Sequence, residues 1–206
     1  MKKFLFTLLV LINISPVLGW GQDINKDIAA DTSYQKGLDA AQGGDFAYAF
    51  EQWAPLAELG YVSAQNNLGM MYEKGFGVLQ DYEVAINWYS LAAEKGFAPA
   101  QTNLGHIYRS GRGATQDYIA ALRWYTRAAE QADGDAQFNL AAMYALGDGL
   151  PTDYIRAYMW GNLAALNGNN YGLGIRDEFA KQMTPSQIQK AQGLSDKCVK
   201  QNYLGC

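Results

Sequence analysis

The chain has 206 residues, 49% of them hydrophobic, and a formal net charge of −4. This apolar content excludes a disordered chain, and the acidic balance excludes a nucleic-acid surface, which needs clustered basic residues. The length allows one compact domain or one short repeat array.

Residues 1–19 have the order of a secretory signal. Met1-Lys2-Lys3 is a short positive region, Phe4 to Ile12 is an apolar run interrupted at Thr7, and Pro16 breaks it before Val17-Leu18-Gly19. Such a segment is expected to be cleaved; a buried N-terminal helix is the alternative. The run is shorter than the roughly 20 residues a membrane span takes. No later stretch is apolar for long enough. The mature chain is therefore expected in the periplasm or outside the cell, with no integral membrane segment. Residues 20–30 read as a polar, flexible lead-in.

A degenerate helix pair follows at 31–63. Its first helix surrounds Tyr34, Gly37, Leu38 and Ala41, Gly43-Gly44 make the turn, and Asp45, Phe46, Ala49, Trp53, Ala57 and Gly60 mark the second helix. Three fuller copies then run in register over 64–99, 100–135 and 136–171. The first gives Ala64, Gln65, Asn67, Leu68-Gly69, Tyr72, Gly75, Gly77, Asp81-Tyr82, Ala85, Trp88-Tyr89 and Ala92-Ala93. The second gives Ala100, Gln101, Asn103, Leu104-Gly105, Tyr108, Gly111, Gly113, Asp117-Tyr118, Ala121, Trp124-Tyr125 and Ala128-Ala129. The third gives Ala136, Gln137, Asn139, Leu140, Tyr144, Gly147, Gly149, Asp153-Tyr154, Ala157, Trp160 and Ala164-Ala165, with Gly161 in place of the tyrosine.

A repeat of this length predicts a stacked helical solenoid. The first helix of each copy should stop at the Gly-x-Gly, and the Asp should cap the second. One pair is too thin to bury its own apolar face, so neighbours must stack. Trp88, Trp124 and Trp160 are expected in the core between them.

Past Gly168 the pattern fades into a cap over 172–206. A helix from about Tyr171 to Gln182 would turn Ile175, Phe179 and Met183 inward. Thr184-Pro185-Ser186-Gln187 has the form of a capping box with Pro at the first helical position. The helix it opens carries Ile188, Ala191 and Leu194 to about Cys198. Cys198 and Cys206 are the only cysteines. In an exported chain they read as a disulfide, with two free thiols as the alternative.

Taken together, Ala-x-x-x-Leu-Gly-x-x-Tyr, Gly-x-Gly, Asp-Tyr, Ala-x-x-Trp-Tyr and Ala-Ala-x-x-Gly resemble the Sel1-like repeat family, a branch of the tetratricopeptide-like α-solenoids with a longer loop between its helices. The likeness covers about residues 33–170, and the tail also resembles C-terminal regions of exported members. It implies an all-α, right-handed solenoid of antiparallel helix pairs with a C-terminal helical cap. The first helix of each pair would line a concave face. It also implies an adaptor or scaffold for proteins or extended peptides.

The chemistry-bearing residues agree with a binding role. His106 is the only histidine, and the catalytic motifs of serine hydrolases, zinc proteases and phosphate-binding loops are absent. No catalytic residue, metal or cofactor is expected. Ser33-Tyr34-Gln35-Lys36 satisfies the Ser-x-x-Lys of penicillin-recognising enzymes, but the Ser-Asp-Asn and Lys-Thr-Gly partners are missing. A cell-wall-active or β-lactam-reacting enzyme is thus one alternative, and a structural envelope component the other. Partner-binding candidates are Asn67, Asn103 and Asn139, in phase on three first helices, with Met70, His106 and Ala142 one turn on. An Asn amide can donate to and accept from an extended backbone, or bridge neighbouring helices instead. Lys74, Arg109 and Arg112 would add positive charge nearby, or form an ordinary solvated face.

Overall fold

The computed structural model describes the backbone of residues 20–206 and side chains from residue 29 on. The export signal expected at 1–19 lies outside the described residues. Ten helices and no strand occur among the described residues: α1 (Trp20–Gln42), α2 (Phe46–Glu58), α3 (Val62–Lys74), α4 (Tyr82–Glu94), α5 (Ala98–Ser110), α6 (Tyr118–Ala129), α7 (Gly134–Leu146), α8 (Tyr154–Leu166), α9 (Gly172–Ala180) and α10 (Pro185–Lys200). Helices α1 to α8 pack in chain order as four pairs, and both α9 and α10 pack on α8. The stretch 20–30, expected as a lead-in, belongs to α1. No helix among the described residues is long and apolar enough to cross a membrane.

Local chemistry sets the pair boundaries. Asp45, Asp81, Asp117 and Asp153 each accept a backbone N–H in the first turn of the second helix, satisfying donors that have no partner within the helix. Gly75, Gly111 and Gly147 close the first helices in the left-handed conformation. The second glycine of each loop has a further duty, close approach to the preceding repeat. A Cβ on Gly113 would fall 2.0 Å from Cβ of Tyr82, and one on Gly149 would fall 2.6 Å from Cβ of Tyr118. The residue that opens one repeat's second helix is thus the seat for the next repeat's loop.

Neighbouring pairs are joined by buried amides. Gln65, Gln101 and Gln137 donate from Nε2 to the carbonyls of Ala57, Ala93 and Ala129, at 3.0, 3.0 and 3.1 Å. Each caps the C-terminal end of the preceding second helix, where carbonyls otherwise lack partners.

The tryptophan ladder is only partly core. Trp160 is 3% exposed, whereas Trp88 and Trp124 are half-buried. In the first two full repeats the deepest ring is the adjacent tyrosine: Tyr89 and Tyr125 have no exposed surface. The reason is geometric. A Cβ on Gly69 would come 2.6 Å from the Tyr89 ring, and one on Gly105 would come 2.5 Å from the Tyr125 ring. Only glycine leaves room for the tyrosine to cross the first helix. Trp53 uses Gly37 in the same way, with a corresponding separation of 2.2 Å. In the third repeat the pair becomes Ala141 and Gly161. Removing the tyrosine lets α9 approach, since a Cβ on Gly161 would meet Ile175 at 3.1 Å and the backbone of Arg176 at 3.2 Å.

The cap matches its expected sequence signals in most respects. Thr184 and Gln187 form the reciprocal capping box with Pro185 inside the first turn. Ile175, Phe179 and Leu194 pack on the core cluster around Trp160 and Leu163. Met183 does not share that helical face, because α9 ends at Ala180. Cys198 and Cys206 form a disulfide with Cα atoms 5.5 Å apart. The tail it closes returns to the array: the Tyr203 hydroxyl donates to Asn167 Oδ1 at 3.0 Å, and Gly205 N–H donates to Glu130 at 3.3 Å.

Candidate functional site

A cleft of about 450 Å³ lies between the first helices of the first two full repeats, with Met70, Lys74, Asn103, His106 and Arg112 on its walls. Of the six binding candidates, Met70, Asn103 and His106 meet here. Met70 is 38% exposed, and His106 is exposed as well. Both project from helices whose other faces carry the buried Leu68, Met71 and Leu104. Burying those apolar faces therefore fixes what the other faces present.

The three asparagines do not form a free ladder. Asn67 is 7% exposed and donates to the Tyr34 hydroxyl at 3.3 Å. Asn139 is also buried; it donates to the Asp135 carbonyl at 2.8 Å and accepts from Arg109 at 3.4 Å. Asn103 donates to Asn66 Oδ1 at 3.0 Å but still lines the cleft. The bridging use of these amides is thus the observed one, and only Asn103 combines it with access to the groove. Arg109 is occupied too: its guanidinium pairs with Asp148 at 3.0 Å. Ala142, at the third-repeat place of Met70 and His106, is half-buried.

Two residues without a place among the sequence candidates build the cleft from behind. The Tyr89 hydroxyl passes Gly69 and donates to Glu73 Oε2 at 2.8 Å. Glu73 is also ion-paired with Lys74. Burial, then the Glu73 charge and the hydrogen bond to it, pushes the Tyr89 pKa far up, so the phenol stays protonated. The Tyr125 hydroxyl passes Gly105 and lies 3.0 Å from Nδ1 of His106, the two rings meeting edge to face. Burial likewise raises the Tyr125 pKa, with Arg109 opposing. The signal for both tyrosines was present in the chain, because the glycine and the tyrosine disappear together in the third repeat.

His106 has its pKa held below the usual imidazole value. One edge of the ring is open to the cleft, but desolvation where it packs on Tyr125 is the main cause, opposed by Glu73 of α3 and Asp135 of α7 and aided by Arg109 and Lys74. The folded state therefore favours the neutral ring. The stability this contributes is fully present above the unfolded pKa, about 6.5, and is lost progressively as pH falls from there through the lower folded pKa. Urea unfolding at pH 7.5 and pH 5.5 should show a loss at the lower pH that is smaller in His106→Gln. An equal loss in both proteins would contradict the assignment.

The Sel1 repeat model matches residues 62–97, 98–133 and 134–169, each match beginning two residues before the corresponding sequence-derived boundary. A crystal structure of a Sel1 repeat protein from Oxalobacter formigenes is 29% identical with a TM-score of 0.66, over 81% of this chain and 76% of that one. The crystal structure of c5321, a protective antigen present in uropathogenic Escherichia coli strains and displaying an SLR fold, is 27% identical with a TM-score of 0.53. That likeness covers 84% of this chain but 47% of the antigen, so the chain spans about half its length. No curated protein matches the chain.

Proposed function

The chain belongs to the Sel1 repeat family, whose matched repeats take up more than half of it, and from that premise we propose that it is an exported adaptor that binds a protein or extended peptide along its first helices. Proteins of this family generally act as protein–protein interaction modules. The observation that carries the reading is the cleft between α3 and α5, which exposes Met70 and His106 beside the polar Asn103. An apolar surface flanked by donors and acceptors suits a chain segment, which brings both side chains and backbone amides. Asn67, Asn139 and Arg109 have the supporting role: they hold the helices at the spacing the groove requires.

Export is part of the same proposal. It rests on the order of residues in Met1–Gly19 and on a disulfide that persists in an oxidising compartment. Fractionation is expected to recover a chain starting near Trp20 outside the cytoplasm; an intact N-terminus in the cytosol would overturn this part.

Binding is tested by substitution. The pair Asn103→Ala with His106→Ala should weaken capture of the partner while the helical signal stays intact. Each lost hydrogen bond is worth about 0.5–1.5 kcal/mol, or roughly threefold to tenfold in affinity. Asn67→Ala and Asn139→Ala should instead register mainly as lower stability. Capture at full strength by a folded Asn103→Ala, His106→Ala protein would refute the groove.

A further inference from the structure

The residue between the two loop glycines differs in each full repeat: Phe76, Arg112 and Asp148. Two of the three are used inside the protein. The Phe76 ring stacks on Phe46 with centroids 4.5 Å apart. Asp148 holds the guanidinium of Arg109 at 3.0 Å. Arg112 is different. Its one hydrogen bond among the described residues is made by its backbone N–H, to Ser110 Oγ at 3.4 Å. Arg112 is exposed and lines the α3–α5 cleft, and its side chain forms no ion pair among the described residues.

Most of the other cations around that cleft are paired. Glu73 and Lys74 neutralise one another, and Tyr89 takes the second oxygen of Glu73. Arg109 is neutralised by Asp148. His106 is held towards its neutral form. Arg112 therefore stands as a cation without an ion pair among the described residues, at the mouth of a cleft whose floor includes Met70 and Ile107. A planar guanidinium with five donors is matched by a carboxylate, and the apolar floor is matched by the methylenes that carry it.

We propose that Arg112 is a specificity-determining residue that seats an aspartate or glutamate side chain of the bound segment in the α3–α5 cleft. This rests on the groove reading above. It implies that the middle residue of the Gly-x-Gly loop is the variable position through which this array selects its partner, with Phe76 and Asp148 retained for internal contacts.

The test uses the mature protein to select from a displayed library of random peptides fused through their C-termini, so that only side chains supply carboxylates. Peptides enriched by the wild type should share an acidic residue at one position. A synthetic peptide of that sequence should bind Arg112→Ala about 10- to 100-fold more weakly, the range for a hydrogen bond to a charged group, and should weaken as salt rises. Arg112→Asp should enrich peptides with Lys or Arg at the same position. Because the Arg112 side chain supports no other residue, both variants should melt as the wild type does. Enrichment of the same peptides by wild type and Arg112→Asp, or of peptides lacking an acidic residue, would overturn the inference. The groove reading would survive that outcome if enrichment is still lost in Asn103→Ala, His106→Ala. Enrichment that persists in that double variant, or no enriched peptide at all, would overturn both.

Discussion

Trp160→Ala should lower the free energy of unfolding by about 3–5 kcal/mol, the range for emptying a large aromatic from a packed core. Trp160 is 3% exposed and packs in the cluster that includes Leu140, Met143, Leu163 and Cys198. That cluster also receives Ile175 and Phe179 of α9 and Leu194 of α10, so the cavity would loosen the seat of the cap as well as the third repeat. Trp124→Ala should cost clearly less, although Trp124 sits at the same place in the preceding repeat. Trp124 is half-buried, and the Arg127 guanidinium lies over its ring at 4.9 Å. Urea unfolding of the two variants decides the matter; equal losses would mean that both rings serve the core alike.

The second large effect is expected from Gly105→Ala. Alanine is the better helix former, and on propensity alone the change should stabilise α5. The structure reverses the sign. The new methyl would lie 2.5–2.8 Å from three atoms of the Tyr125 ring, which is fully buried and has nowhere to retreat. Overpacking of this kind costs about 1–3 kcal/mol. It would also pull the Tyr125 hydroxyl away from His106, coupling the core to the groove. Gly193→Ala is the control. Gly193 lies in α10, and a Cβ there has open space around it, so the substitution should gain about 0.5–1 kcal/mol. Thermal unfolding that shifts both variants in the same direction would contradict the close Gly105–Tyr125 packing.

What was legible in the sequence was what depends on near neighbours along the chain. The Asp caps, the glycine stops and the Thr184–Gln187 capping box are determined within one or two turns, and each lies where its residues point. The stacking of helix pairs followed from the period. What was not legible depends on the distance between elements. Trp88 and Tyr89 are both aromatic and adjacent; which of them enters the core is decided by Gly69, twenty positions earlier, on another helix. The asparagines keep perfect phase, but phase alone does not say that Tyr34, Asn66 and Arg109 stand within hydrogen-bonding reach. Gln65, Gln101 and Gln137 were visible as part of the motif, yet their partners lie on the preceding helix. The close seating of the start of α9 has a similar origin, since a Cβ on Gly172 would fall 2.4 Å from the backbone N of Ala165 on α8.

The central claim is that the first helices, not the second, form the partner surface. A photo-crosslinking amino acid placed at Met70 in the groove, and separately at Leu91 on α4, compares two sites of similar exposure, 38% and 46%. In cells exporting each protein, illumination should join a discrete partner to the Met70 position and not to the Leu91 position. The Met70 adduct should fade when Asn103→Ala and His106→Ala are added. Adducts formed from Leu91 alone, or a Met70 adduct indifferent to the groove substitutions, would contradict the account.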